Sequence, residues 1–270
     1  MSRTIPDLCW LVLLVILSGC ASHPDAWSVR HKQAMEWASQ GERAYLNGHL
    51  EQSGRYYEKA LQLNSSIENA SGIAANLLSL AQLHLERGEY DQAEAQLRVV
   101  LSNKDHLFAA AAMADAAARS AQLALLSKQP GKAADLANQA QTLCKAGGCT
   151  LEAAITNLQA RSAFVLGQIQ ASADLAKRAA AIAENRQPAE LANAKRLLGE
   201  IQLHLKAAAE AVPLFEQALS LDKQLGLSRK IAEDLRWLAE AKDLLGQHTE
   251  AEAYRSREQA IRLALENKAP

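Results

Sequence analysis

Two cysteines of the chain, Cys144 and Cys149, stand close enough in sequence to form a disulfide with each other. They flank residues 145–148, whose sequence Lys-Ala-Gly-Gly indicates a flexible loop between two helices. In an oxidising compartment such a bond would close the loop and contribute roughly 2 kcal/mol of stability. The alternative is two free thiols, one at each helix end. A zinc site is not predicted, because no further cysteine or suitably spaced histidine completes a set of ligands.

Catalytic motifs are not found elsewhere in the sequence. It contains no phosphate-binding glycine loop, no HExxH, no CxxC pair and no nucleophile elbow. The histidines are scattered, at positions His23, His31, His49, His84, His106, His204 and His248. Surface or packing roles are expected for them. The sequence therefore predicts no catalytic residue, no metal and no cofactor, and we do not expect an enzyme.

The charge of the chain is nearly balanced, with 29 Lys and Arg residues against 30 Asp and Glu residues. This balance, without blocks of like charge, offers no broad basic surface for nucleic acid. Aromatic residues make up only 4% of the chain while alanine is abundant, as expected where helices pack closely. We therefore expect protein or peptide partners. We do not expect the chain to bind nucleic acid or a small-molecule substrate.

A pattern of turn residues and small residues repeats along the chain every 39 or 40 positions. The turn positions are Gly48, Gly88, Lys128, Gly167, Lys206 and Gly246. Small residues stand seven positions before each turn, at Gly41, Ala81, Ala121, Ala160, Gly199 and Ala239. Others stand five positions after each turn, at Ser53, Ala93, Ala133, Ser172, Ala211 and Ala251. Small residues at matching heights let two helices approach closely, so the pattern predicts a stack of helix-turn-helix units.

This pattern resembles the tetratricopeptide repeat, a helix-turn-helix unit with small residues and a turn glycine at these spacings. The best copy is the first, with Trp37, Gly41, Tyr45, Gly48, Ser53, Tyr57 and Ala60. The resemblance covers roughly residues 27 to 266 and implies an all-α, right-handed solenoid of about six repeats. Because the unit exceeds the usual length of about 34 residues, its helices should be longer. Arg255 and Glu258 replace apolar residues in the last copy, which suits a C-terminal capping helix in a domain spanning 27–270.

Some helix boundaries can be predicted from capping residues. Ser65 and Glu68 have capping-box spacing, which predicts a helix from just after Ser65 to about Arg87. Pro213 falls inside a predicted helix and implies a late start or a kink there. Starts of other helices are predicted at Pro130, Thr150, Pro188 and Ser228.

The repeat resemblance also implies a concave groove lined by the first helix of each unit. Its amino half would be small and mostly uncharged, as at Met35 and Ala38. Its carboxyl half would carry the candidate partner-binding residues Asn157, Arg161, Asn193, Arg196 and Arg236. Such a row can bond the backbone of an extended peptide and an acidic side chain or terminal carboxylate. Alternatively, these arginines form solvated pairs with nearby glutamates, and a partner binds the convex face or the loops.

The first 20 residues are predicted to be a targeting segment. The ten uncharged residues from Leu8 to Leu17 are too few to span a bilayer but fit a signal-peptide core. The sequence Leu17-Ser18-Gly19-Cys20 resembles the bacterial lipobox, which implies cleavage after residue 19 and lipidation of Cys20. Residues 20–26 would then be a lipidated tether. Because Ala21 and Ser22 follow the cysteine instead of aspartate, the resemblance implies an outer-membrane anchor facing the periplasm. An ordinary signal peptide is the alternative.

Together these features predict an outer-membrane-anchored repeat scaffold or adaptor that binds a protein or peptide partner in the cell envelope. One version is similar to the repeat lipoproteins that help assemble type IV pilus secretins. Another is an accessory factor of outer-membrane or peptidoglycan assembly. An envelope enzyme is the alternative from another class, and it would need a perturbed acid or base in a pocket.

Overall fold

The computed structural model describes residues 25–103 and 107–266 and folds them into twelve α-helices. The predicted signal segment and the lipidation site Cys20 lie outside these residues. No described helix is long and apolar enough to cross a membrane. The helices are α1 (Ala26–Leu46), α2 (Leu50–Ser66), α3 (Ala70–Arg87), α4 (Tyr90–Ser102), α5 (Ala110–Leu126), α6 (Pro130–Gly147), α7 (Glu152–Val165), α8 (Ile169–Ala183), α9 (Pro188–His204), α10 (Ala208–Leu225), α11 (Ser228–Leu244) and α12 (His248–Glu266).

The twelve helices form six antiparallel hairpins that stack in chain order. Each helix packs on its neighbours in sequence, from α1 on α2 through to α11 on α12. The odd-numbered helices α3, α5, α7, α9 and α11 also contact one another in succession. Because the odd-numbered helices lie closer together than the even-numbered ones, they form the inner, concave side of the stack. The prediction of an all-α repeat solenoid is confirmed.

All six predicted turn positions have a left-handed backbone. The φ angles are 81° at Gly48, 72° at Gly88, 57° at Lys128, 76° at Gly167, 62° at Lys206 and 73° at Gly246. This conformation ends the first helix of each hairpin and is favoured by glycine, which has no Cβ to clash with the following carbonyl. Lys128 and Lys206 adopt it at some cost in strain. The turn pattern in the sequence therefore marks the same backbone feature in all six hairpins.

Two glycines at the small-residue positions are required by close approach of an aromatic ring. A Cβ built on Gly199 in α9 would lie 2.5 Å from a ring carbon of Phe215 in α10. A Cβ built on Gly41 in α1 would lie 2.8 Å from the ring of Tyr57 in α2. Both rings are buried against the backbone of the preceding helix. The small and large positions of the repeat are therefore complementary halves of one contact.

Replacing Gly199 by alanine is expected to lower the free energy of unfolding by about 1 to 3 kcal/mol, because the rigid Phe215 ring must move. The matched control is Gly131→Ala in α6, where no atom lies within 4 Å of an added Cβ. That control should leave stability unchanged or raise it by up to about 1 kcal/mol, since alanine favours a helix over glycine. Urea unfolding followed by circular dichroism measures both. Equal stabilities of the two variants would contradict the packing account.

One boundary prediction is wrong. Ser65 does not cap a helix, because α2 continues to Ser66 and α3 begins only at Ala70. Asn69 caps α3 instead, its side-chain oxygen accepting a hydrogen bond from the backbone N–H of Gly72. Of the two alternatives predicted for Pro213, a late start is not observed, because α10 begins at Ala208 and continues through Pro213. A kink at Pro213 stays a prediction. Pro130, Pro188 and Ser228 begin α6, α9 and α11 as predicted, whereas α7 begins at Glu152, two residues after Thr150.

Candidate partner-binding groove

The concave face of the odd-numbered helices, which we call the groove, contains two cavities. The amino cavity, of about 570 Å³, lies between α1 and α3 and is lined in part by Met35, Ala38 and Gln82. The carboxyl cavity, of about 440 Å³, lies between α11 and α12 and is lined by Arg229, Ala232, Glu233, Arg236, Arg262 and Leu265. The two cavities differ in chemistry, as the sequence predicts for the two halves of the groove.

The amino cavity combines accessible apolar side chains with a polar end whose groups bond one another. Met35 is 59% exposed and Leu46 is 74% exposed. At the polar end, the Tyr45 hydroxyl donates to the Glu86 carboxylate, and burial together with this carboxylate raises the Tyr45 pKa. Arg119 donates to the side-chain oxygen of Gln82 at 2.7 Å. Apolar contact surface is therefore what this half of the groove offers a partner.

Arg196 does not lie on the groove surface, which corrects its assignment as a partner-binding residue. It is 1% exposed, and its Nε donates to Asp234 Oδ1 at 2.6 Å. Another guanidinium nitrogen pairs with Asp222, and Nη1 donates to Asn193 Oδ1 at 2.9 Å. Because these carboxylates come from α10 and α11, Arg196 joins three helices of the last two hairpins. Its guanidinium is used inside the protein.

The cluster around Arg196 holds two buried carboxylates on one guanidinium. Asp222 and Asp234 are each 1% exposed or less. Burial raises the pKa of Asp234 to about 7, outweighing the opposing effect of Arg196, and the neighbouring Asp222 carboxylate raises it further. Among the described residues, Asp234 Oδ2 has no hydrogen-bond partner. The structure thus holds one of the two carboxylates close to protonation at neutral pH.

Three other predicted groove residues, two on α7 and one on α9, are bonded to glutamates of α9. Arg161 in α7 donates from both terminal nitrogens to the two carboxylate oxygens of Glu200 in α9, at 2.5 and 2.6 Å. Asn157 donates to the backbone oxygen and the carboxylate of Glu190, at 2.9 and 2.8 Å. Asn193 donates weakly to the same carboxylate at 3.4 Å. Arg161 and Asn157 therefore hold α7 against α9, and part of their donor capacity is used inside the protein.

Arg236 is the predicted groove residue that presents its guanidinium to the cavity. Its Cζ lies 4.2 Å from the centre of the Trp237 ring, which stacks in turn on Phe215 in the core. It forms no ion pair or hydrogen bond with any described residue. Arg229 and Arg262 join it, and sequence analysis missed both. Arg229 stands two turns before Arg236 on α11, and Arg262 lies on the helix regarded only as a cap.

Cys144 lies in the last turn of α6 and Cys149 in the segment before α7, and the structure pairs them as a disulfide. Their Cα atoms are 4.8 Å apart, within the usual range for disulfides. In the described part of the chain, no group of three or more His, Cys, Asp or Glu side chains has the arrangement of a metal site.

Comparison with known proteins identifies the fold. No family model and no curated protein sequence matches the chain. Among solved structures, the apo form of RapI has a TM-score of 0.70 and 14% identity, over 87% of this chain and 85% of that one. PilW, a widely conserved type IV pilus biogenesis factor, has a TM-score of 0.59 and 18% identity, over 84% and 92%.

A kinesin light chain protein of Podosopora anserina with nearly identical TPR-like repeats is also similar. Its TM-score is 0.50 with 21% identity, over 72% of this chain and 96% of that one. At these identities the likeness concerns the fold. The chain is a tetratricopeptide-repeat-like α-solenoid.

Proposed function

We propose that this protein is a scaffold of the bacterial cell envelope that binds a protein or peptide partner in its groove. The observation that carries the proposal is the groove itself, where accessible apolar side chains such as Met35 share one face with the guanidinium of Arg236, which has no ion-pair partner among the described residues. The arginines Arg161 and Arg196 bond carboxylates of neighbouring helices, and these ion pairs hold the repeats together. Because these side chains are already held in place, the surface loses little conformational entropy when a partner binds.

The proposed mechanism is positional. Lipid on Cys20 would anchor the chain in the outer membrane facing the periplasm, and several acyl chains hold a protein there durably. The six residues 21–26 reach at most about 20 Å, so the first repeat would lie close to the bilayer. The groove would then recruit its partner at the membrane surface. The lipobox resemblance of residues 17–20 supports this location.

Two versions of the proposal differ in the assembly that is served. The first is type IV pilus biogenesis, as a lipoprotein that helps secretin assembly. It is supported by the shared fold and matching length of PilW, of which the likeness covers 92%. The second is outer-membrane or peptidoglycan assembly. The genes that neighbour this one would separate them, since pilus genes support the first version and wall synthases the second.

An envelope enzyme is the competing class of function. It would require an acid or base with a shifted pKa that faces a cavity. Asp234 has a raised pKa, yet it is fully buried behind Arg196 and lines neither groove cavity. The geometry therefore supports binding better than catalysis.

The experiment that tests the proposal is a crosslinked pull-down from native envelopes, analysed by mass spectrometry. The double variant Met35→Glu with Leu46→Glu places two charges in the amino cavity and should reduce recovery of the partner at least about tenfold. The matched control is Val99→Glu, an exposed apolar position on the even-numbered helix α4. It should retain the partner. Equal recovery with both variants would place binding outside the groove.

The anchor is tested separately by Cys20→Ala. This variant should not incorporate labelled palmitate and should leave the membrane fraction, because the acylated thiol is lost. Retention of the variant in washed outer membranes would contradict the proposed anchor.

A further inference from the structure

The carboxyl cavity brings three arginines together at the end of the groove. Arg229 and Arg236 come from α11, and Arg262 comes from α12. Ala232 and Leu265 supply the apolar part of the same lining. We call the three arginines the arginine cluster. The chain as a whole is nearly neutral, so this concentration of cations is a local feature.

The guanidinium groups of the arginine cluster remain largely available. Arg236 is held by stacking on the Trp237 ring, which leaves the N–H groups at its edge free to donate. Arg229 is 64% exposed, and its contact with the Glu86 carboxylate is at the 4.0 Å limit of an ion pair. Arg262 is 57% exposed and donates only its Nε to Glu258, at 2.6 Å. Its two terminal nitrogens keep their four N–H donors.

The carboxylates around the cavity do not neutralise the cluster. Glu233 lines the cavity but bonds Lys230 at 3.0 Å, and Glu258 bonds Arg262. Four cationic side chains therefore face three carboxylates, counting Glu86 of α3, which lies 4.0 Å from Arg229. The cavity keeps a positive charge after every close pair is formed.

We propose that the arginine cluster holds an acidic segment of the partner polypeptide, with side-chain carboxylates bonded to Arg229, Arg236 and Arg262. This inference rests on the proposed function and specifies the chemistry of the partner. Guanidinium groups bond carboxylates in a bidentate fork, which suits Asp and Glu side chains. The three guanidinium groups come from two helices, so an extended chain with several carboxylates suits them better than a compact anion. Ala232 and Leu265 pack against the aliphatic part of an acidic side chain.

The test measures binding of fluorescein-labelled hexapeptides to the purified chain by fluorescence anisotropy. One probe alternates Glu with Ala, and the matched probe alternates Gln with Ala. The Glu probe should bind and the Gln probe should bind at least about tenfold more weakly, because charge-assisted hydrogen bonds are lost. Equal binding of the two probes would overturn the proposal.

The variant that tests the site combines Arg229→Gln, Arg236→Gln and Arg262→Gln. It should weaken binding of the Glu probe at least about tenfold. The control with the same change of charge combines Arg55→Gln, Lys132→Gln and Arg178→Gln, all exposed on even-numbered helices. It should bind within about twofold of wild type. Equal weakening by the two triple variants would show a general charge effect and overturn the site.

A competition experiment and a folding check complete the test. Inorganic phosphate that displaces the Glu probe at equal concentration would assign the cavity to a compact anion and overturn the peptide. Thermal unfolding of both triple variants checks that they fold, since all six residues are exposed. The peptide assay needs no natural partner, so failure of the arginine cluster is distinguishable from failure of the envelope pull-down, which tests the proposed function.

Discussion

The variant Arg196→Ala is expected to lose about 3 to 5 kcal/mol of its free energy of unfolding. It leaves the Asp222 and Asp234 carboxylates buried without a cation, and it removes the bonds that join α9 to α10 and α11. Urea unfolding measures the loss. The effect should be largest in the last two hairpins, where amide hydrogen exchange should accelerate.

The matched control is Arg178→Ala, whose exposed partner Glu152 lies 3.3 Å away. Exposed pairs of this kind contribute no more than about 1 kcal/mol. Losses of similar size in the two variants would contradict the account of Arg196 as a buried cross-link.

Stability is expected to rise as the pH falls from about 8 towards 5, because the folded state binds a proton that the unfolded state releases. The pKa of Asp234 is raised from 3.8 to about 7 by burial. An acid whose pKa is raised by folding lowers the free energy of unfolding at a pH above the folded pKa. Below that pKa the acid is protonated in the folded state, and this loss of stability disappears. For one proton the gain is at most about 1.4 kcal/mol for each pH unit below the folded pKa.

The charged groups that act on Asp234 are Arg196 on α9 and Asp222 on α10, and Glu233 on α11 lies 4.0 Å from the same guanidinium. The burial that raises the Asp222 pKa acts in the same direction, so the pair is expected to take up one proton between them. Asp234→Asn mimics the protonated acid and should flatten the dependence. Unfolding by guanidinium chloride at each pH measures the free energy of unfolding of both proteins. Parallel curves for wild type and Asp234→Asn would contradict the assignment.

The architecture could be predicted because it depends on short-range spacing. A glycine such as Gly88, followed five positions later by Ala93, fixes a left-handed turn and a close helix contact within one hairpin. The 39 or 40-residue period then stacks identical units. The capping prediction at Ser65 was wrong because the same Ser-to-Glu spacing also arises at the end of a helix.

The contents of the groove were harder to predict because they depend on contacts between repeats. Arg196 meets Asp222 and Asp234, which lie 26 and 38 positions later, and no local pattern shows that the three converge. The inward positions of a repeat indicate where the Cα atom of a residue lies. They do not indicate where the charged end of a long side chain such as arginine lies. Arg262 was missed because the last helix was regarded as a polar cap. Its α-helical spacing from Glu258 indicates a pair and does not reveal the cavity.

Site-specific photo-crosslinking in native envelopes tests the central claim most directly. A benzoyl-phenylalanine placed at Met35 or Ala38 reports the groove, and one placed at Val99 on α4 reports the outer side of the stack. We expect a discrete adduct of one partner from the two groove positions and none from Val99. An adduct from Val99 with none from the groove positions would contradict the claim that the concave face binds the partner.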